Sequence, residues 1–182
     1  MKSLFTALFV ATIPFSAPAG DAVFTLASPT FKEGGSIPAK CAMKGVNGGQ
    51  NISPSLSWRN PPPGTKSFAV TCIDIHPIAH KWVHWMLVGI PSNIVSLQEG
   101  ASGTAMPKGS WELLNSFDSK GWGGPMPPQG SGLHKYVFTI YAMSVEIPGQ
   151  ELSGSPLTEA GFLNLWKDRT IGSASITGTF ER

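Results

Sequence analysis

"DIHPIAHKWVHWMLVGI", residues 74–90, holds three of the four histidines in the chain, and whether it is helix or strand decides the fold. His76, His80 and His84 stand at i, i+4 and i+8, which on a helix would line three imidazoles along one face. Pro77 lies inside that run, where it would remove a helical hydrogen bond and clash with the preceding turn. The residues that follow, "KWVHWMLVGI" (81–90), are β-branched, aromatic and apolar, which is strand composition. In a strand each step of four residues spans about 13 Å, too far for the three imidazoles to share one metal ion. A metal site on Asp74, His76 and His84, closed by a loop reversal, remains the alternative.

The same strand composition recurs along the chain in "AVFTLAS" (22–28), "SLSW" (55–58), "SFAVTCID" (67–74), "KYVFTIYAM" (135–143) and "GSASITGTF" (172–180). Between these runs lie "KEGG", "NPPPG", "IPSN" and "GWGGPMPPQGSG", whose glycines and prolines mark turns and loops. One helix is expected, "LTEAGFLNLWKD" (157–168), with Leu157, Ala160, Leu163 and Leu165–Trp166 near a 3.6-residue spacing. With 21 glycines, 16 prolines and 13% charged residues, the composition argues against long amphipathic helices. The fold class is therefore mainly β, an antiparallel sandwich with one or two helices near its C-terminal end.

The opening "MKSLFTALFVATIPFSAPAG" has Lys2, an apolar run from Leu4 to Phe15, and small residues at Ala17 and Ala19. That pattern is expected of a secretory signal peptide over residues 1–19, leaving a single domain over 20–182 and a periplasmic or secreted location. Pro14 and Pro18 interrupt the run before the length of about 20 residues that a membrane-spanning helix needs, so no transmembrane segment is expected. The formal net charge of +2, one less without Lys2, is no footprint for nucleic acid. In an exported chain, two cysteines, Cys41 and Cys72, favour a disulfide, with buried free thiols as the alternative.

No enzyme motif stands out. "GSG" (130–132) lacks the strand before it and the helix after it that a nucleophile elbow requires, and there is neither H-E-x-x-H nor a phosphate-binding glycine loop. No cofactor is implied. The remaining histidine, His134, opens the strand "HKYVFTIYAM" directly after the glycine- and proline-rich loop. If the strands are neighbours, Asp74, His84, His134 and Tyr136 form a compact polar site. A carboxylate beside an imidazole fixes its tautomer and favours its charged form, so such a site suits a small anion. The alternative is that His84 and His134 are core histidines satisfied by their neighbours.

Four ordered blocks carry a family resemblance. They are "FTLASPTFKEGGSIPAK", "NISPSLSWRNPPPGTKSFAV", "DIHPIAHKWVHWMLVGIP" and "GWGGPMPPQGSGLHKYVFTIYAM", spanning essentially all of the chain after residue 19. Together they resemble the phosphatidylethanolamine-binding protein (PEBP) family, the group that includes the Raf kinase inhibitor protein, and most of all its short bacterial and archaeal branch. The resemblance implies a large antiparallel sheet packed on a smaller one and a shallow pocket for phosphate, phosphorylated headgroups or similar anions. It assigns Asp74, His84, His134 and Tyr136 to that pocket, Trp82 to its aromatic wall, and Gly124, Pro125 and Met126 to the loop at its border. His76 departs from the family pattern, standing where a second aspartate is usual. An imidazole there removes a negative charge, and the expectation is a pocket more open to anions and sensitive to pH near 6.5.

These readings lead to a non-catalytic binding protein for small anionic or phosphorylated ligands. Two alternatives remain: a module that inhibits or modulates a protein partner through exposed aromatics such as Trp111 and Trp122, and a metal-assisted hydrolase on the histidines.

Overall fold

In a computed structural model, which describes residues 22–148, 152 and 158–182, the chain forms eight strands. They are β1 (Thr25–Ala27), β2 (Leu56–Arg59), β3 (Ser67–Asp74), β4 (Trp82–Pro91), β5 (Ser96–Leu97), β6 (Trp111–Glu112), β7 (His134–Met143) and β8 (Thr170–Phe180). Among the described residues there are also two short 3₁₀ turns, η1 (Ala39–Cys41) and η2 (Pro77–Ala79), and the helix α1 (Glu159–Trp166). The segment expected to be a signal peptide lies outside the described residues.

The large sheet has the order β6-β4-β3-β7-β8 and the small sheet β1-β2-β5, with antiparallel pairing throughout. All eight residues of β3 are buried, because this central strand is covered on both faces. That explains why "SFAVTCID" reads as a continuous apolar run rather than an alternation. Its side chains still divide with period two: Phe68, Val70 and Cys72 join one core with Leu26, Leu56, Trp58 and Leu97 of the small sheet. Ala69 and Ile73 join a second core on the opposite face, with Val83, Met86, Tyr141 and Phe162. The architecture is the expected one, a large antiparallel sheet packed on a smaller one.

Helix α1 lies within the expected 157–168 but is shorter, Glu159–Trp166, and its N-cap is Thr158, whose side chain accepts a hydrogen bond from the Gly161 amide; Ser155 and Pro156, expected at its start, lie outside the described residues. Its buried contact differs from expectation. Phe162 is the buried residue and packs against Tyr141 at 5.4 Å between ring centroids, while Leu163 and Leu165 are exposed. Trp166, at the end of the helix, is partly buried against the same core.

The disulfide expectation is corrected. Cys41 and Cys72 are both free and fully buried, each packed in the core between the two sheets. Each thiol behaves there as a small apolar side chain. Burial raises the Cys41 pKa to about 11, and burial followed by the Asp74 charge raises that of Cys72 well above its ordinary value. Trp122, expected on the surface, is also buried: its indole N–H donates to the Cys41 carbonyl at 3.0 Å and its ring stacks on Phe138.

Candidate functional site

Strand β3 ends at Asp74, and β7 begins two residues before Tyr136, its register partner. Trp82 opposes Asp74 from the other side, on β4. Residues two apart on a strand share a face, so His134 and Tyr136 are buried on the same side of β7 while Lys135 is exposed. Asp74, at the sheet end, therefore meets side chains from strands far apart in sequence.

His84 reaches the site through an irregularity that the sequence does not announce. Cys72 pairs with Trp85 and Ile73 with Val83, so His84 is the extra residue of a β-bulge. Val83 and Trp85 accordingly pack into cores on opposite faces of the sheet, although they are two residues apart. Bulges re-aim side chains in this way, often beside functional sites.

A cavity of about 250 Å³ opens at this end of the sheet. Asp74, His84, His134 and Tyr136 provide its polar lining, and Trp82, Phe117, Ile78, Ala79 and Met126–Pro128 its apolar walls. Asp74 is 3% exposed and His134 1%, and Asp74 Oδ2 lies 2.6 Å from His134 Nδ1. Asp74 Oδ1 accepts the His76 amide at 2.9 Å, an Asx-type turn that starts the loop into η2. His134 Nε2 lies 3.0 Å from the Ser131 hydroxyl, which also contacts the Pro128 carbonyl at 2.7 Å.

The His84 Nδ1–H donates to the Gly123 carbonyl at 2.5 Å, and the ring makes edge contacts with Tyr136 and Phe117. Burial lowers the His84 pKa to about 4, outweighing the Gly123 carbonyl and the Asp74 charge that favour the charged ring. His84 is thus neutral near pH 7. The Tyr136 hydroxyl is buried and meets no group in full hydrogen-bond geometry among the described residues, with the Asp74 carboxylate the nearby acceptor that acts on it. Burial first and the Asp74 charge second raise its pKa, so it stays a protonated phenol.

The sequence-expected residues divide into three groups. Asp74, His84, His134, Tyr136, Trp82 and Met126 come together around the cavity. Gly124 and Pro125 are buried behind it and hold the loop to the η1 region, through Gly124 N–H to Asn51 Oδ1 at 2.7 Å and Met43 N–H to the Pro125 carbonyl at 3.1 Å. His76 stacks on the His134 ring at 3.9 Å and borders a separate cleft with Ile75, Pro77, Leu133 and Lys135. Sequence reasoning missed Phe117, Ile78, Ala79, Pro127 and Pro128 as cavity walls. The two prolines sat in a loop already singled out, but nothing local marks Phe117. Among the described residues, no three His, Cys, Asp or Glu side chains are grouped as a metal would require.

Comparison with known proteins bears on the family and the fold. Residues 27–181 match the family model for phosphatidylethanolamine-binding protein. UPF0098 protein YbcL of Escherichia coli is 36% identical, over 100% of this chain and 99% of its own length. The crystal structure of E. coli YbcL, a member of the mammalian PEBP family, superposes with a TM-score of 0.78 at 34% identity, covering 88% of this chain and 99% of that one. The carboxypeptidase Y inhibitor, solved in complex with its cognate proteinase, shares the fold at a TM-score of 0.50 and 16% identity, covering 81% of this chain and 76% of its own. With the family model covering most of the chain and the two-sheet fold shared with YbcL, the chain belongs to the phosphatidylethanolamine-binding protein family.

Proposed function

We propose that this protein is a non-catalytic binding protein for small anionic or phosphorylated ligands, held in the cavity between the ends of β3, β4 and β7. The observation that carries the reading is the cavity-lining Asp74–His134 pair beside a buried Tyr136 hydroxyl that makes no well-aligned hydrogen bond among the described residues. A Tyr hydroxyl in a low-dielectric site is a strong donor toward an oxyanion. Calorimetric titration with phosphate and phosphoethanolamine tests the reading on the wild type and on His84→Ala. Binding at millimolar ligand, weakened in the variant, is expected; no binding to the wild type overturns it. The A-x-A pattern at Ala17 and Ala19 supports action outside the cytosol, which N-terminal sequencing of the exported protein tests.

A protein partner is the second reading. It is favoured by Ile78, Trp82 and Met126, three exposed apolar side chains around the cavity mouth. A ligand-competitive complex in an envelope or host extract, lost in Trp82→Ala, is its expected signature.

A further inference from the structure

His76 sits behind the cavity rather than in it. The His134 ring stands between the two, lining the cavity on one side and meeting the His76 ring on the other, with centroids 3.9 Å apart and planes 15° from parallel. Both His134 nitrogens are engaged, Nδ1 with Asp74 Oδ2 at 2.6 Å and Nε2 with the Ser131 hydroxyl at 3.0 Å. The other Asp74 oxygen accepts the His76 amide at 2.9 Å. One carboxylate thus holds both halves of the stack, His134 through its ring and His76 through its backbone. His76 Nδ1 is buried with no hydrogen-bond partner among the described residues, and the residue as a whole is only half-buried. Its ring can therefore exchange a proton with water while touching a ring that is 1% exposed.

The charged and titratable groups facing His76 are Asp74 from β3, and His134 and the exposed Lys135 from β7. Ile75, Pro77 and Leu133, which share its cleft, bring none. Histidine is the side chain that changes charge between about pH 5 and about pH 8. His84 adds no charge in most of that range, because burial lowers its pKa to about 4. An anion entering the cavity is repelled by the Asp74 carboxylate, and a proton on the His76–His134 stack offsets that repulsion across the thickness of one ring. Two rings in contact also repel when both are charged, so they titrate as a coupled pair.

Resting on the anion-binding reading above, we propose that His76 is a positioning residue of the ligand site: stacked behind His134, it holds that ring on Asp74 and, by taking up a proton, makes the cavity bind oxyanions more tightly in acid. The ligand never touches His76. The chemistry is shared by the phosphodiester of a lipid headgroup and by a free inorganic anion.

Calorimetry on the full chain with dimethyl phosphate, a phosphodiester, and with sulfate tests this at about pH 8 and about pH 5.5. Both anions keep their charge over that range, so a change in affinity belongs to the protein. Wild-type affinity is expected to rise roughly tenfold from the higher pH to the lower, and that of His76→Gln by less than about threefold. His76→Asp, a second variant, should bind more weakly than His76→Gln at both pH values, because it adds a negative charge behind His134. A rise carried by dimethyl phosphate alone assigns the site to phosphodiesters, and one carried by sulfate alone to free anions; either supports the inference. A pH profile shared by the wild type and His76→Gln, or binding that weakens in acid, overturns the inference and leaves the anion reading standing. Absence of binding by both anions to the wild type at both pH values overturns the anion reading and this inference with it.

Discussion

Asp74 Oδ2 and His134 Nδ1 are 2.6 Å apart, and this contact joins the last residue of β3 to the first of β7 inside the protein. Both side chains are almost fully buried, so water cannot replace either partner. Asp74→Asn keeps the shape but turns an acceptor-only group into one that presents hydrogens. It is expected to destabilise the fold by about 2 kcal/mol, the scale of a buried polar group left badly paired. Urea denaturation reads the loss, and a change near zero would mean that the pair does not hold the two strands.

His84 makes stability depend on acid. Its folded pKa of about 4 lies below the ordinary 6.5, so between these values the unfolded chain binds a proton that the folded chain does not. Stability from this group is complete above about pH 6.5 and is lost as pH falls toward about 4. The loss is on the order of 3 kcal/mol at 1.36 kcal/mol per unit. Urea midpoints measured across that window should fall steeply in the wild type and more shallowly in His84→Gln. Parallel slopes would refute the assignment.

Tyr136→Phe separates binding from folding. The hydroxyl it removes makes no well-aligned hydrogen bond among the described residues, its nearby acceptor being Asp74, so stability should stay within about 0.5 kcal/mol. Phosphate affinity should fall roughly tenfold, as for loss of one hydrogen bond to a charged ligand. Thermal unfolding and calorimetry on one preparation read both, and a stability loss above about 1 kcal/mol would reveal a partner that the structure lacks.

The thiols offer a chemical check. Cys41 and Cys72 are fully buried and have raised pKa values, so neither should react with iodoacetamide in the native protein near neutral pH. After denaturation without reductant, mass spectrometry should find both alkylated. An unalkylated pair would restore the disulfide.

Gly124 is fixed by space rather than by backbone conformation. A Cβ there would collide with the Cys41 carbonyl oxygen and the backbone of Ala42 and Met43. Gly124→Ala should cost about 3 kcal/mol, the upper end for overpacking, because the atoms in the way are main chain. Gly130→Ala has open space but a φ of +75°, and should cost about 1 kcal/mol. Denaturant unfolding of the two variants ranks them, and a reversed order would contradict the packing.

Much of the strand order was legible because it is written in local composition. The expected strand 67–74 coincides with Ser67–Asp74, while 81–90 is offset by one residue at both ends from Trp82–Pro91 and 135–143 starts one residue later than His134–Met143. Ser96–Leu97 and Trp111–Glu112 were missed, since two-residue strands have no periodicity and exist through pairing with β2 and β4. The helix was found by its spacing, while its cap is Thr158 rather than the expected Ser155 or Pro156, and its buried face was misjudged because Phe162 is selected by Tyr141 across space.

The sequence by itself determined the β-rich class, the resemblance to the family and the choice of Asp74, His84, His134 and Tyr136, because side-chain chemistry and turn residues are local information. Only the tertiary structure decided how those four groups are used. The bulge turns His84 so that Nδ1 meets Gly123, and the register brings Tyr136 against Asp74. His76 lies behind His134, and both thiols stay unbridged in the core. Each of these outcomes depends on which chain segments become neighbours, and that is fixed by packing of two sheets rather than by any stretch of residues read alone.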